Sequence, residues 1–381
     1  MNRQVIYADN AATTKMSSIA VQAMLPYFNK IYANPSSVHL AGQQAAAAIF
    51  QARKQIADIL NCLPKEIFFT SGGSEADNQA LISAAALGKI NCKKHIISTA
   101  IEHHAVLHTL DNLKEKGFDI TLLKPQPNGI INPIQVREAI RPDTCLVSVM
   151  YANNEIGSVQ PIKEIGNICH SKNIIFHTDA VQAAGHIPID IKLDNIDMLS
   201  LSAHKFHGPK GIGVLFAKDS ITLTSRIYGG SQERGKRAGT ENLPAIIGMT
   251  AALKEAQQKM YSNISYISNL RKSLITGLGK IEGAKLNGDY QNSLPGIVNY
   301  SFTNINGEAL LSYLSNEGIC ASSGSACSSG SLAPSHVLLA CGSTPKLAQS
   351  SLRLSLCEYN TIDEINIIIQ KVTKAVNHLR R

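Results

Sequence analysis

The chain has 381 residues, a length that as a prior accommodates two domains. With 44% hydrophobic and 17% charged residues it can bury a large core, which excludes a disordered, collagenous or coiled-coil chain. The 36 Lys+Arg against 28 Asp+Glu leave a net charge of +8, but the basic residues are scattered, so no nucleic-acid-binding stripe is read from them.

The opening residues, Met1 to Asp9, carry no apolar stretch of leader length, so no secretory signal is expected. Helix signals follow near Ser17–Tyr27 and Ala45–Leu60. From about residue 66 to residue 217, short apolar runs alternate with amphipathic stretches. The predicted strands are Glu66–Thr70, His95–Thr99, Asp119–Leu123, Cys145–Met150, Ile174–His177, Met198–Ser202 and Gly213–Ala217. The helices between the first five are Ala76–Leu87, His104–Lys116, Pro133–Ile140 and Ile162–Ser171. Such alternation predicts an α/β fold with a large, mostly parallel seven-stranded sheet covered on both faces. The last two strands are joined by a Gly/Pro-rich turn, which predicts one antiparallel strand. No run nears the roughly 18 apolar residues of a membrane span; the longest are pieces such as Leu81–Leu87.

After Leu243 the pattern changes. A long helix over roughly Ala245–Leu278 leads to strand-like pieces at Gly296–Phe302 and Gly318–Ala321, then to a Gly/Ser-rich segment from Ser322 to Ser331. A closing helix repeats Ile365, Ile368, Ile369, Val372, Val376 and Leu379 at helical spacing. The expected division is a large α/β domain over residues 15–260 and a smaller α+β domain built from residues 1–14 and 261–381.

Polar clusters recur where an open α/β sheet binds ligands, beyond the carboxyl ends of its strands. They are Ser71-Gly72-Gly73-Ser74-Glu75, Glu102-His103-His104, Asn153-Asn154-Glu155, Asp179-Ala180-Val181-Gln182 and Ala203-His204-Lys205. Together they imply one site. The glycine turn before a helix suits a single phosphate, with Ser74 as a candidate cap; neither G-x-G-x-x-G nor a P-loop is present. Asp179 ends an apolar strand, where a carboxylate needs a cationic or N–H⁺ partner. Lys205 follows another apolar strand, the setting of a lysine that bonds covalently to a carbonyl. An anion cradle, a buried Asp and a strand-end Lys together meet the needs of pyridoxal phosphate, although a plain Asp–Lys ion pair would read the same at those two residues. His104 and His108 are four apart, but H-E-x-x-H and further ligands at metal spacing are missing, so no metal is expected. His103 suits a ring stacked on a cofactor and moving protons.

Eight cysteines show no C-x-x-C pair, which in a chain of this length reads as reduced thiols in a cytoplasmic setting. Cys327 differs from the rest: Gly, Ser and Ala surround it, so a mobile nucleophilic thiol is expected there. Arg353, in an apolar strand-like setting, could clamp a carboxylate or make an ordinary salt bridge.

These motifs, with Tyr7-Ala8-Asp9-Asn10-Ala11-Ala12-Thr13-Thr14, Asn34-Pro35-Ser36-Ser37-Val38-His39, Arg237-Ala238-Gly239-Thr240 and Ser323-Gly324-Ser325-Ala326-Cys327, occur in order over nearly the whole chain. The chain thereby resembles the NifS/IscS-type cysteine desulfurases, class-V enzymes of the fold-type-I pyridoxal-phosphate group. The resemblance implies Lys205 as the lysine that carries the cofactor, Asp179 at the pyridine nitrogen, Gln182 at the ring hydroxyl and His103 over the ring. It implies Gly73, Ser74, Ser202 and His204 at the phosphate, and Thr240 reaching the neighbouring subunit's phosphate in a homodimer. Asn154 and Arg353 would grip the carboxylate of L-cysteine, and Cys327 would receive the sulfur as a persulfide while L-alanine leaves. An acceptor, protein or small molecule, would then take the sulfur, with iron–sulfur cluster assembly among its uses. A selenocysteine lyase, another class-V enzyme or a non-catalytic sulfur carrier are the alternatives. Cys341 and Cys357 have no role in the resemblance, and the short tail after Arg353 leaves the acceptor open.

Overall fold

The computed structural model describes residues 5–324 and 333–380. The chain opens with strand β1 (Ile6–Tyr7) and helices α1 (Ser18–Met24), α2 (Pro26–Asn29) and α3 (Leu40–Leu60). The helix expected over Ser17–Tyr27 is thus broken in two, because Pro26 offers no N–H to continue the first and instead starts the second. Next come β2 (Ile67–Thr70), α4 (Gly73–Ile90), β3 (His95–Thr99), α5 (His104–Glu115), β4 (Asp119–Leu123), α6 (Pro133–Ala139), β5 (Thr144–Ser148), α7 (Ile162–Ser171), β6 (Ile175–Asp179), β7 (Met198–Ser202) and β8 (Gly213–Ala217). Glu66, expected at a strand start, instead closes a short 3₁₀ turn, its carboxylate accepting from Leu63 N–H at 2.9 Å.

These seven strands, β2 to β8, form one sheet in the order β2-β8-β7-β6-β5-β3-β4. All neighbours are parallel except β8, which runs antiparallel to both β7 and β2, as the helix-free turn between β7 and β8 predicts. The inner strands β3, β5 and β7 are buried at every position, as strands covered on both faces must be. Helix α4 packs Ala76, Ala80, Leu81 and Ala84 against the sheet, the three alanines letting its backbone come close.

The remaining chain holds α8 (Leu243–Leu278), β9 (Ala284–Asn287), β10 (Ile297–Phe302), α9 (Gly307–Asn316), β11 (Ile319–Cys320), α10 (His336–Ala340), α11 (Pro345–Gln349), β12 (Ser351–Ser355) and α12 (Ile362–Leu379). Strands β12, β10 and β9 form an antiparallel sheet. A Thr361/Glu364 capping box starts α12, which buries Ile365, Ile368, Val372 and Val376. That face joins Leu270, Leu274 and Leu278 of α8 in a core separate from the one under the large sheet. Residues from the chain's start complete this second core: Ile6 and Ala8 belong to it, and β1 pairs in parallel with β11. No described helix is long and apolar enough to cross a membrane.

Candidate active site

Five strands of the large sheet end at one cavity of about 480 Å³. Its walls include Ser71 to Glu75 after β2, His103 after β3, Met150 and Asn154 after β5, Asp179 and Gln182 after β6, Ser202 to Lys205 after β7, and Arg353 from β12. The size is that of a pocket for one small organic molecule. Of the expected site residues, Gly73, Ser74, His103, Asn154, Asp179, Gln182, Ser202, His204, Lys205 and Arg353 meet here. Thr240 is exposed and outside this wall. Cys327 lies outside the described residues.

The chain's start forms one wall. Lys205 Nζ donates to Ala11 O at 2.6 Å and to Ala12 O at 2.9 Å, and Gln182 Nε2 donates to Ala11 O at 3.0 Å. At the end of β6, Asp179 Oδ1 accepts from Val181 N–H at 2.9 Å. Burial pushes this carboxyl up to about 6, against the attraction of Lys205 and the Val181 bond, so an N–H⁺ partner in the cavity would reverse the shift.

Across from it, α4 begins at Gly73, earlier than the expected Ala76, and its N-cap is Gly72. Ser74 is therefore no cap: it lies in the first turn, and no side chain caps the helix. The uncapped start of an 18-residue helix, Gly73 and Ser74, thus lines the cavity together with Ser202, the arrangement that suits an anion. Gly73 has no room for a side chain, since a Cβ there would stand 2.7 Å from Val181 Cγ2.

His103 caps α5, its Nδ1 accepting from Ala105 N–H at 3.1 Å. Burial, then Lys205 and the nearby His104, His336 and His108, push it down to about 4. The ring is neutral at pH 7 and, with Nδ1 accepting, carries its proton on Nε2. His204, with Nδ1 3.2 Å from Thr13 Oγ1, is likewise pushed down to about 4, by burial and then by Lys205 and Lys210.

Asn154 reaches the cavity because its neighbours are tied elsewhere. Asn153 is buried, donating to Ile101 O at 3.0 Å and accepting from Glu155 N–H at 2.9 Å. The buried Glu155 accepts from Ser335 Oγ. Arg353, 1% exposed, donates to Asn154 O at 3.0 Å and to Asp9 Oδ1 at 2.9 Å, while its Nε is buried without a hydrogen-bond partner.

Two buried carboxyls here were given no role by the sequence reading, Asp77, which no cluster includes, and Glu102, which the Glu102-His103-His104 cluster only names. Asp77 lines the cavity, 3.7 Å from His177 Nε2, with one oxygen lacking a hydrogen bond. Burial and the Asp179 charge push it well above the usual carboxyl range, and burial pushes His177 down to about 3, shifts that each favour the uncharged form. The signal was present: Asp77 is three, four and seven residues before Ala80, Leu81 and Ala84, a carboxyl on an apolar helix face.

The second is Glu102, whose Oε1 accepts from Thr99 Oγ1 at 2.7 Å and Met150 N–H at 2.9 Å, while Oε2 is buried without a partner. Burial pushes it up to about 8. The fold then retains a proton that the unfolded chain releases near pH 4.3, so this contribution to stability is present below that pH and is lost as pH rises through 8. Glu102→Gln keeps the acceptor oxygen and cannot ionise. It is expected to be close to neutral at pH 4 and to stabilise at pH 8 by more than about 1.4 kcal/mol, the worth of one pKa unit. Chemical denaturation at the two pH values checks this; a loss of stability at pH 8 would mean that the native carboxyl is ionised.

The chain is similar to known proteins over nearly its whole length. The aminotransferase class-V family pattern matches residues 6–368. A cysteine desulfurase IscS from Methanosarcina thermophila is 48% identical over 377 residues, which cover 99% of this chain and 93% of that protein. A solved NifS-like protein superposes with a TM-score of 0.93 at 36% identity, over 99% of this chain and 100% of the other. A structure described as SspA in complex with cysteine superposes with a TM-score of 0.81 at 39% identity, over 93% and 99%.

Proposed function

The chain belongs to the class-V aminotransferase family, on the side of the cysteine desulfurases, and from that premise we propose that it takes sulfur from L-cysteine and releases L-alanine. The observation that carries this reading is the convergence of Lys205, Asp179 and the uncapped start of α4 on one cavity. Pyridoxal 5′-phosphate fits that donor set: the buried Asp179 carboxyl suits a ring N–H⁺, and the α4 N–H groups with Ser74, Ser202 and His204 suit a phosphate. Gln182 and His103 would hold the ring from its edge and face. When bound, the cofactor supplies a covalent anchor for the amine and an electron sink at Cα.

The chain's own residues do the rest. Asn154 and the unpartnered Arg353 Nε orient the substrate carboxylate. Lys205 Nζ moves the proton at Cα, and the neutral His103 holds a proton at Nε2 for exchange with the reacting thiols. Cys327 sulfur bonds to the substrate sulfur as the substrate C–S bond breaks. A thiol and L-cysteine thus become a persulfide and L-alanine, with no outside oxidant. The expected result is one L-alanine per persulfide formed when the loaded protein is given L-cysteine. Cofactor binding without alanine would favour a sulfur carrier, and formation of a keto acid instead of alanine would favour an aminotransferase.

For the assembly we propose a homodimer in which Thr240 reaches the partner's phosphate. The stretch from Leu25 to Phe50 supports it, exposing Leu25, Phe28, Tyr32, Val38, Leu40 and Phe50, with Val38 at 90%. Light scattering should give twice the chain mass; a monomer retaining full cofactor occupancy and activity would overturn the dimer. The second core, drawn only from Ile6, Ala8 and residues 267–376, supports the division proposed for the domains, residues 15–260 against 1–14 with 261–381, while Ala11, Leu294 and Ile297 pack into the first core across that boundary. The free thiols among the described residues support a cytoplasmic setting.

A further inference from the structure

A second group of ligating side chains lies outside the cavity, beside the turn that carries Lys205. His207 Nε2, the Cys357 thiol and a Glu358 carboxylate oxygen all stand within 4.8 Å of one another. His207 is 7% exposed, Cys357 is buried, and Glu358 is half-buried, which leaves a way in from solvent. None of the three lines the cavity.

The ring is posed as a ligand. His207 Nδ1 donates to Lys15 O at 2.8 Å, which leaves Nε2 with its lone pair when the ring is neutral. A backbone carbonyl on the far nitrogen is how ligating histidines are commonly oriented. Nε2 faces Glu358 Oε2 at 3.3 Å, an ion-pair distance, and the carboxylate there favours a proton on the ring that a bound cation would replace. The backbone is pinned on both sides. His207 sits at φ 63, held by its own N–H on Thr14 Oγ1 at 2.9 Å and by Ser17 N–H on its carbonyl at 2.9 Å. Cys357 is fixed by its N–H on Asn360 Oδ1 at 3.0 Å.

We propose that His207, Cys357 and Glu358 form a zinc site with its fourth position open to water. One imidazole, one thiolate and one carboxylate are a borderline-soft set that suits Zn²⁺ and disfavours Mg²⁺ and Ca²⁺. A tetrahedral ion with bonds of about 2.0–2.3 Å keeps its ligand atoms about 3.5 Å apart, so the His207–Glu358 pair is already at ligand spacing and the widest pair closes by at most about 1.3 Å. As the Sγ–Zn bond forms, the Cys357 thiol loses its proton to solvent and no electron changes hands. The ion ties the turn after Lys205 to the segment after β12, and so fixes Lys205 relative to Arg353.

The test uses the cofactor-loaded protein carrying Cys327→Ser, which removes the reaction's own thiol as a competing ligand. It is equilibrated with zinc at buffered micromolar free concentration, cleared of excess metal, and read by plasma mass spectrometry and X-ray absorption. The expected result is one zinc per chain with one sulfur at about 2.3 Å and lighter ligands at about 2.0–2.1 Å. Adding Cys357→Ser should weaken binding at least about 100-fold, the upper range for losing even an outer partner of a ligand. Glu358→Gln, at the half-exposed position, should weaken it as well and serves if the cysteine variant does not fold. Zinc below about a tenth per chain, uptake unchanged in the variants, or a spectrum without sulfur overturns the site and leaves His207–Glu358 as an ion pair only.

Discussion

Lys205→Ala is expected to lower L-alanine release from L-cysteine by at least about 10²–10⁴-fold, the contribution of a positioned proton-transfer group alone. The loss should exceed that range, because the same nitrogen also anchors the cofactor. Position rather than chemistry singles this lysine out: its Nζ is held by the Ala11 and Ala12 carbonyls at 2.6 and 2.9 Å, in the cavity that Asp179 also enters. Lys210 lines the cavity too and is the natural competitor. A second readout separates them. After borohydride treatment, peptide mapping of the wild type should place the pyridoxal mass on Lys205, and the variant should carry none. The phosphate-holding groups on α4 are untouched, so the variant should still bind the cofactor reversibly. Pyridoxal mass on Lys210 in the wild type, or turnover within tenfold of wild type in the variant, would sink the assignment.

Cys327→Ser should divide the reaction at a different point. Cofactor retention and the spectral response to L-cysteine should survive, since they depend on Lys205, Asp179, Asn154 and Arg353. Persulfide formation should vanish, because a hydroxyl is a far weaker nucleophile toward sulfur than a thiolate. The described cysteines give little reason to expect substitution. Burial pushes Cys62, Cys169, Cys341 and Cys357 up to about 12 and Cys145 up to about 11, which leaves almost no thiolate at pH 7. Cys320, half-buried in β11, and the exposed Cys92 are the remaining thiols to watch. The measurement is sulfide or persulfide per active site, with the trapped sulfur mapped by peptide. Sulfur on Cys320, Cys341 or Cys357 of the variant at the wild-type rate would overturn the role of Cys327.

What was legible in the sequence followed from burial on two faces. Runs such as His95–Thr99 and Met198–Ser202 are wholly buried strands, and they read as apolar runs with matching bounds. Strand β9, Ala284–Asn287, did not, because it lies at a sheet edge with only Asn287 buried. Nor did β1, whose two residues form a strand only because β11 lies beside them. In the site, nine of the residues proposed from strand-end position, together with Arg353 from within β12, do share one cavity. Their polarity at the end of an apolar run was enough. The partners were not readable: nothing near Arg353 in the chain announces Asp9, and nothing near His207 announces Cys357. Contacts between distant segments leave no local period to detect. Ser74 was misassigned as a cap because a serine near a helix start is usually one; here Gly72 takes that position, so the first turn stays open to a ligand.

The wall built from the chain's first residues has a consequence for how the protein is made. Ala11 and Ala12 hold Lys205, yet their own segment is held by partners made last: Ala11 N–H bonds to Ser355 Oγ, and Asp9 pairs with Arg353, 344 positions away. A ribosome adding about 5–20 residues per second needs roughly 17 to 70 seconds to cover that interval. Throughout it the early segment can reach Gln182 and Lys205 but lacks the Arg353 and Ser355 partners that hold Asp9 and Ala11 N–H. The large sheet can assemble on the ribosome while the pocket's front wall waits. Cofactor capture in its final form therefore waits until β12 has been made, and a chain stalled before β12 would display Lys205 in an unfinished pocket.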